Sequence, residues 1–133
     1  MSLQHQTPHE RQDMAAAAMR TYPNISRAWG LKEHEAATLL GVPDSTYRRW
    51  KQQPDRAPLD VNHLERMSLI LGIYKALHIL LPNAQAADSW LKRANQNPLF
   101  AGHAPIERML NGQVSDLYVV RRHLDAARGG GVA

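Results

Sequence analysis

Apolar residues recur every three or four positions through most of the chain, and this spacing predicts α-helices. The longest such run begins after Asp60 and ends before Pro82, which predicts one long helix between these residues. Apolar and polar residues do not alternate, and there is only one Phe, so strands are not predicted. The sequence therefore predicts an all-α fold.

Turn and capping residues divide the chain into four expected segments. A polar, flexible N-terminal arm is expected first, then a helical region, then a second and longer helical region, then a glycine-rich flexible tail. Their bounds are residues 1–12, 13–58, 59–128 and 129–133. Within the first helical region, Pro23 is expected to end a short helix near Arg20, because proline disfavours helical geometry at the preceding residue.

Residues 33–53 have the spacing of a helix-turn-helix. Ala37 is the small residue where two helices would cross, and Gly41 stands four positions later at the turn. Tyr47 and Trp50 share one face of the second helix and would pack it onto the first. The opposite face is polar and basic, and Arg or Gln on such a helix can bond base edges, while Lys more often meets phosphates. The residues predicted to contact DNA are Ser45, Thr46, Arg48, Arg49, Lys51 and Gln52.

The charge of the chain supports this prediction only locally. Sixteen Lys and Arg against twelve Asp and Glu give a net charge of +4, which permits a polyanionic partner without requiring one. Between residues 45 and 56, four basic residues stand against one acidic residue, a local excess of three charges. The alternative is a helical hairpin whose charged face is only solvated.

Several other chemistries are excluded or unsupported. Cysteine is absent, which excludes disulfides and thiolate chemistry and suits a reducing cytoplasm. The pair His34-Glu35 lacks the second histidine of a zinc motif because position 38 is Thr38, and most of the histidines are expected at the surface or an interface. We therefore expect no catalytic residue, no metal and no cofactor. The apolar stretch 69–81 is shorter than the roughly 20 residues of a membrane-spanning helix, so no membrane association and a cytoplasmic location are expected.

The second helical region carries a series of residues in a recognisable order. They are Trp90-Leu91, Asn97, Leu99, Gly102, Pro105-Ile106, Leu110-Asn111-Gly112, Val120 and Leu124. This series resembles the toxin-binding domain of the MbcA/ParS/Xre antitoxins, with Ile106 in place of the usual Leu. The helix-turn-helix is the usual companion of that domain, so the resemblance covers roughly residues 25–128.

The resemblance implies a type II antitoxin. Its partner would be a RES-domain toxin that degrades NAD or transfers ADP-ribose, and residues 59–128 would form the toxin-binding and dimerisation domain. That domain would block the toxin's active site, while the helix-turn-helix region at residues 13–58 would bind operator DNA and repress the operon. The family also implies a homodimer.

The end of the last predicted helix and the tail are the segments that we expect to enter the toxin. A RES-type pocket binds a dinucleotide with a pyrophosphate, and a guanidinium or terminal carboxylate suits part of such a pocket. The alternative is that these side chains form surface pairs along the helix, such as Arg121 with Asp125. The residues predicted to bind toxin are Arg121, Arg122, Asp125, Arg128, Gly129 and Gly130.

Two alternatives to an antitoxin remain open. A freestanding dimeric helix-turn-helix transcription regulator, with no toxin partner, would use the second region only for dimerisation. A structural or adaptor module would use the long apolar helix as a dimer seam, although its apolar stripe is wide and fits an intramolecular core at least as well. The identity of the adjacent gene distinguishes the regulator from the antitoxin.

Overall fold

The computed structural model describes residues 7–129, and all regular structure in this range is helical. Two short 3-10 turns, Pro54–Arg56 and Trp90–Lys92, accompany the α-helices. The α-helices are α1 (Pro8–Ala28), α2 (Glu33–Leu40), α3 (Asp44–Gln52), α4 (Val61–Leu80), α5 (Ala84–Ser89), α6 (Pro105–Met109) and α7 (Val114–Arg128). The prediction of an all-α fold is confirmed.

The first helix is longer than the sequence indicated. Thr7 caps it, because its hydroxyl accepts a hydrogen bond from the Glu10 N–H at 3.1 Å while the Glu10 carboxylate accepts one from the Thr7 N–H at 3.2 Å. The expected flexible arm is therefore wrong for residues 8–12, which are helical. The helix also continues through Pro23 instead of ending before it, since Tyr22 and Ile25 on either side are buried and their packing outweighs the lost backbone hydrogen bond.

The chain divides into two compact units, one reaching Ser68 and the other beginning at Leu69. The sequence indicated a division near residue 58, before α4. The boundary lies inside α4 because the first turns of this helix pack in the first unit. The guanidinium of Arg66 donates to the Leu39 carbonyl at 3.3 Å, and the rings of Trp50 and His63 meet edge to face, 5.2 Å apart.

In the first unit, α1 supports the pair formed by α2 and α3. The hydroxyl of Tyr22 donates to the Ala36 carbonyl at 2.7 Å, and its ring meets the ring of Tyr47 edge-on at 5.8 Å. Gly41 makes the turn between α2 and α3 with φ +81°, a conformation that suits glycine. A Cβ at Gly41 would also lie 2.9 Å from Nε of Arg66. The predicted helix-turn-helix is therefore present.

In the second unit, three aromatic rings from separate segments meet in the core. Trp90 stacks on His123 with ring centroids 6.0 Å apart, and Phe100 meets both rings edge to face, at 6.2 and 5.5 Å. His123 is thus buried, unlike the surface or interface position expected of most histidines. Pro105 begins α6 as predicted, and Gly112, with φ +87°, turns the chain towards α7.

Candidate functional site

Helix α3 exposes one polar face and buries the other. Tyr47 and Trp50 are only 1% and 6% exposed and fix the helix to its unit. The six residues predicted to contact DNA lie on the rest of its surface. Ser45, Arg48, Arg49 and Gln52 are exposed, while Thr46 and Lys51 are half-buried.

Two of the three cations on α3 share one carboxylate. Glu33, the first residue of α2, accepts hydrogen bonds from Nε and Nη2 of Arg48 at 3.0 and 2.7 Å, and from Nζ of Lys51 at 2.9 Å. The hydrogen bond from Lys51, followed by that from Arg48, lowers the pKa of Glu33. The ammonium of Lys51 also lies over the Tyr47 ring, 4.8 Å from its centroid. We call these three residues, Glu33, Arg48 and Lys51, the Glu33 clamp.

Arg49 is arranged differently from the cations of the clamp. Within residues 7–129, its exposed guanidinium forms no ion pair or side-chain hydrogen bond. Ser45 and Gln52 lie four positions before it and three positions after it, so the three side chains share one strip of the helix. This strip presents a cation, an amide and a hydroxyl, the donor types that bind phosphates and base edges.

On α7, the residues predicted to bind toxin differ in the contacts that their side chains make. Nε of Arg121 donates to both carboxylate oxygens of Asp125, at 3.2 and 3.0 Å, so the surface pair weighed from the sequence is formed. Nη1 of Arg128 lies 4.0 Å from the same carboxylate. Arg122 is exposed and lies over the Tyr118 ring, 5.7 Å from its centroid.

Gly129 follows α7 as its exposed C-cap, and Gly130 lies outside the described residues. The end of α7 therefore offers Arg122 and Arg128 as its two less engaged cations, since Arg121 donates to both carboxylate oxygens of Asp125.

The position of the Arg121 side chain also depends on a glycine of α4. A Cβ at Gly72, in the middle of α4, would lie 1.6 Å from Nη1 of Arg121, so the guanidinium occupies the space that a side chain would fill. A glycine in the interior of a predicted helix often has a packing reason, and Gly72 is visible in the sequence as such a position. The pairing of Glu33 with Arg48 and Lys51 has no such signal in the sequence, because these partners on α3 are 15 and 18 positions away.

Between Thr7 and Gly129, no three His, Cys, Asp or Glu side chains are grouped so that they could hold a metal ion. No helix in that range is both long and apolar enough to cross a membrane.

Two family models match consecutive parts of the chain. The antitoxin Xre-like helix-turn-helix domain matches residues 8–72, and the antitoxin Xre/MbcA/ParS C-terminal toxin-binding domain matches residues 76–130. The chain is also similar to the uncharacterized protein y4oB of Sinorhizobium fredii (strain NBRC 101917 / NGR234), with 40% identity over 115 residues and 86% of each chain covered. The chain belongs to the Xre/MbcA/ParS antitoxin family.

The two matched domains of this antitoxin contain the two sets of predicted residues. The helix-turn-helix model begins where α1 begins and includes α3 with the Glu33 clamp. The toxin-binding model includes α5, α6 and α7. The antitoxin therefore combines a DNA-binding domain with a toxin-binding domain, and neither matched model is that of a catalytic family.

Proposed function

We propose that this antitoxin neutralises a RES-domain toxin by covering its active site with the end of α7, and represses its own operon through α3. The observation that carries the proposal is the presence of a helix-turn-helix domain and a toxin-binding domain in consecutive parts of one chain. The RES class of the toxin rests on the order of residues from Trp90 to Leu124 that the sequence shares with this family.

The toxin-contacting surface that we propose is the C-terminal part of α7. Arg122 and Arg128 are the exposed cations there, and a guanidinium matches the pyrophosphate site of an NAD-consuming enzyme. Arg121 and Asp125 hold each other on the surface of α7 and contribute less directly. Gly129 and Gly130 complete the set of residues that we propose to contact the toxin.

Coexpression tests the toxin half of the proposal. The product of the gene adjacent to the antitoxin gene is expressed in a bacterial host, alone and together with the antitoxin. The toxin alone should stop growth and either deplete NAD or leave ADP-ribose on host proteins, because these are the two RES reactions. The antitoxin should restore both growth and the NAD pool.

The outcomes of coexpression distinguish the RES class of the toxin from the antitoxin function itself. Growth arrest without a change in NAD or in ADP-ribosylation would contradict a RES toxin but not an antitoxin. An adjacent product that is harmless would favour the alternative, a freestanding helix-turn-helix regulator.

The DNA half of the proposal places α3 in a major groove. Ser45, Arg49 and Gln52 would face the bases, and Thr46 and the clamp cations would face the flanking phosphates. Helix-turn-helix proteins read two half-sites as dimers, which supports a homodimer of this antitoxin. A gel-shift assay on the promoter of its own operon and the mass of the free protein by light scattering test these two points.

A further inference from the structure

We infer that Glu33 is a specificity-determining residue of the DNA-binding helix: it holds Arg48 and Lys51 back from nonspecific phosphate contacts and orients Arg48. This inference rests on the proposed DNA-binding function. It deepens that function by assigning a role to an acidic residue on the neighbouring helix.

In the clamp, the single carboxylate of Glu33 binds both cations, Arg48 and Lys51. Glu33 occupies Nε and Nη2 of Arg48 with one carboxylate oxygen and Nζ of Lys51 with the other. The exposed fraction of the side chain is 34% for Glu33 and 55% for Arg48. The clamp is therefore a surface feature of the same face that would meet DNA.

Glu33 lowers the net positive charge that the clamp presents to an approaching phosphate. Two cations and one carboxylate leave a net charge of +1 instead of +2, and the carboxylate repels any phosphate that approaches Arg48 or Lys51. Nonspecific affinity comes almost entirely from phosphate contacts, so Glu33 lowers it. A repulsive element of this kind improves specificity, which is the ratio between the affinity for the correct partner and the affinity for a wrong one.

The clamp also limits the conformations of Arg48. Its guanidinium is held through one edge, so Nη1 remains to donate in a fixed direction. A pre-organised guanidinium loses less freedom when it bonds a base or a chosen phosphate. Arg49, which has no partner in the described part of the chain, supplies the unrestrained cation beside it.

The test compares Glu33→Gln with Glu35→Gln in the full chain. Both changes remove one negative charge from the first turn of α2, but Glu35 accepts a hydrogen bond from the Lys32 N–H at 2.8 Å and is not part of the clamp. Glutamine at position 35 can still make that capping contact. The probes are a random-sequence duplex and a duplex enriched from a random pool by the unmodified antitoxin.

Glu33→Gln should bind the random duplex roughly three to ten times more tightly than the unmodified chain, with a salt dependence steeper by about one to two phosphate contacts. Affinity for the enriched duplex should rise less, so the specificity ratio falls. Glu35→Gln should change both affinities equally and only slightly. Adding Arg48→Ala and Lys51→Ala to Glu33→Gln should abolish the gain on the random duplex.

Equal effects of Glu33→Gln and Glu35→Gln on both duplexes would overturn the role of Glu33 and leave the proposed DNA binding intact. A gain that survives removal of both clamp cations would also overturn it. An unmodified antitoxin that enriches no duplex would contradict the proposed DNA-binding function itself. Thermal unfolding of each variant separates these results from a loss of folding.

Discussion

The guanidinium of Arg121 on α7 lies beside Gly72, where α4 has no side chain. This contact and the pair with Asp125 fix the position of Arg121. The guanidinium fills the space above Gly72 and pairs with Asp125 one turn along α7. A surface pair of this type contributes a few tenths of a kcal/mol, about 0.3–0.5. Glycine inside a helix costs about 1 kcal/mol relative to alanine. Arg121 is thus held in place at a net cost to α4.

We predict that Gly72→Ala does not destabilise the antitoxin. The new Cβ displaces only the flexible end of Arg121, and the gain in helix propensity exceeds the loss of the pair with Asp125, so Tm should rise by about 1–2 °C. In an Arg121→Ala background the same change should raise Tm further, because nothing is displaced. Thermal unfolding of the four chains forms a double-mutant cycle. An identical effect of Gly72→Ala in both backgrounds would mean that Arg121 does not occupy that space.

At the scale of helices, local sequence signals predicted most elements, and packing decided the exceptions. The turn at Gly41 and the start of α6 at Pro105 follow from backbone preferences that act over a few residues. The continuation of α1 through Pro23 does not, because it depends on burial of Tyr22 against α2 and α3. The Glu33 clamp is equally non-local, so the exposed polar face of α3 could be predicted from sequence but the pairing within it could not.

The ring of His123 joins α7 to two segments that precede α6, and this position makes the second unit sensitive to pH. Its Nε2 is buried and has no hydrogen-bond partner among residues 7–129, and burial lowers its pKa from 6.5. The unfolded chain therefore binds a proton more readily than the folded chain. Stability from this residue is complete above pH 6.5 and is lost as the pH falls through the lower folded value.

We predict that His123→Phe makes thermal stability less dependent on pH. Phenylalanine keeps an aromatic ring against Trp90 and Phe100 but has no group to protonate. Between about pH 7.5 and pH 5.5, the fall in Tm should be smaller in this variant than in the unmodified chain. His103→Gln, which removes an exposed histidine from the same unit, should leave the fall unchanged. An equal fall in the chain with and without His123 would refute the role of its burial.

At the scale of the whole molecule, the structure shows which of the charges behind the net charge of +4 are paired near α3. The local excess near α3 is real, but Glu33 compensates part of it, and Asp55 pairs with Arg20 of α1. Arg49 then becomes the least restrained cation of α3. On the side of the proposed toxin contact, the sequence gave no basis for ranking Arg122 and Arg128 above Arg121, because the contact of Arg121 with Gly72 is not visible in the sequence.

The two matched domains occupy consecutive parts of the chain, and we predict that their activities can be removed one at a time. Arg49→Ala deletes an exposed side chain without a partner in the described structure, so folding should be unaffected. It should weaken binding to the operon's promoter about tenfold or more and leave toxin neutralisation intact. The double change Arg122→Ala and Arg128→Ala should do the reverse.

Gel shifts on the promoter and growth in the coexpression assay measure both activities in the same variants. Lys75→Ala, which removes an exposed cation from α4, is the control for loss of charge in the second unit and should change neither activity. Loss of neutralisation in Arg49→Ala would place α3 in the toxin interface, because that substitution alters no contact within the described fold. Full neutralisation by the Arg122 and Arg128 double variant would move the toxin-binding surface away from the end of α7.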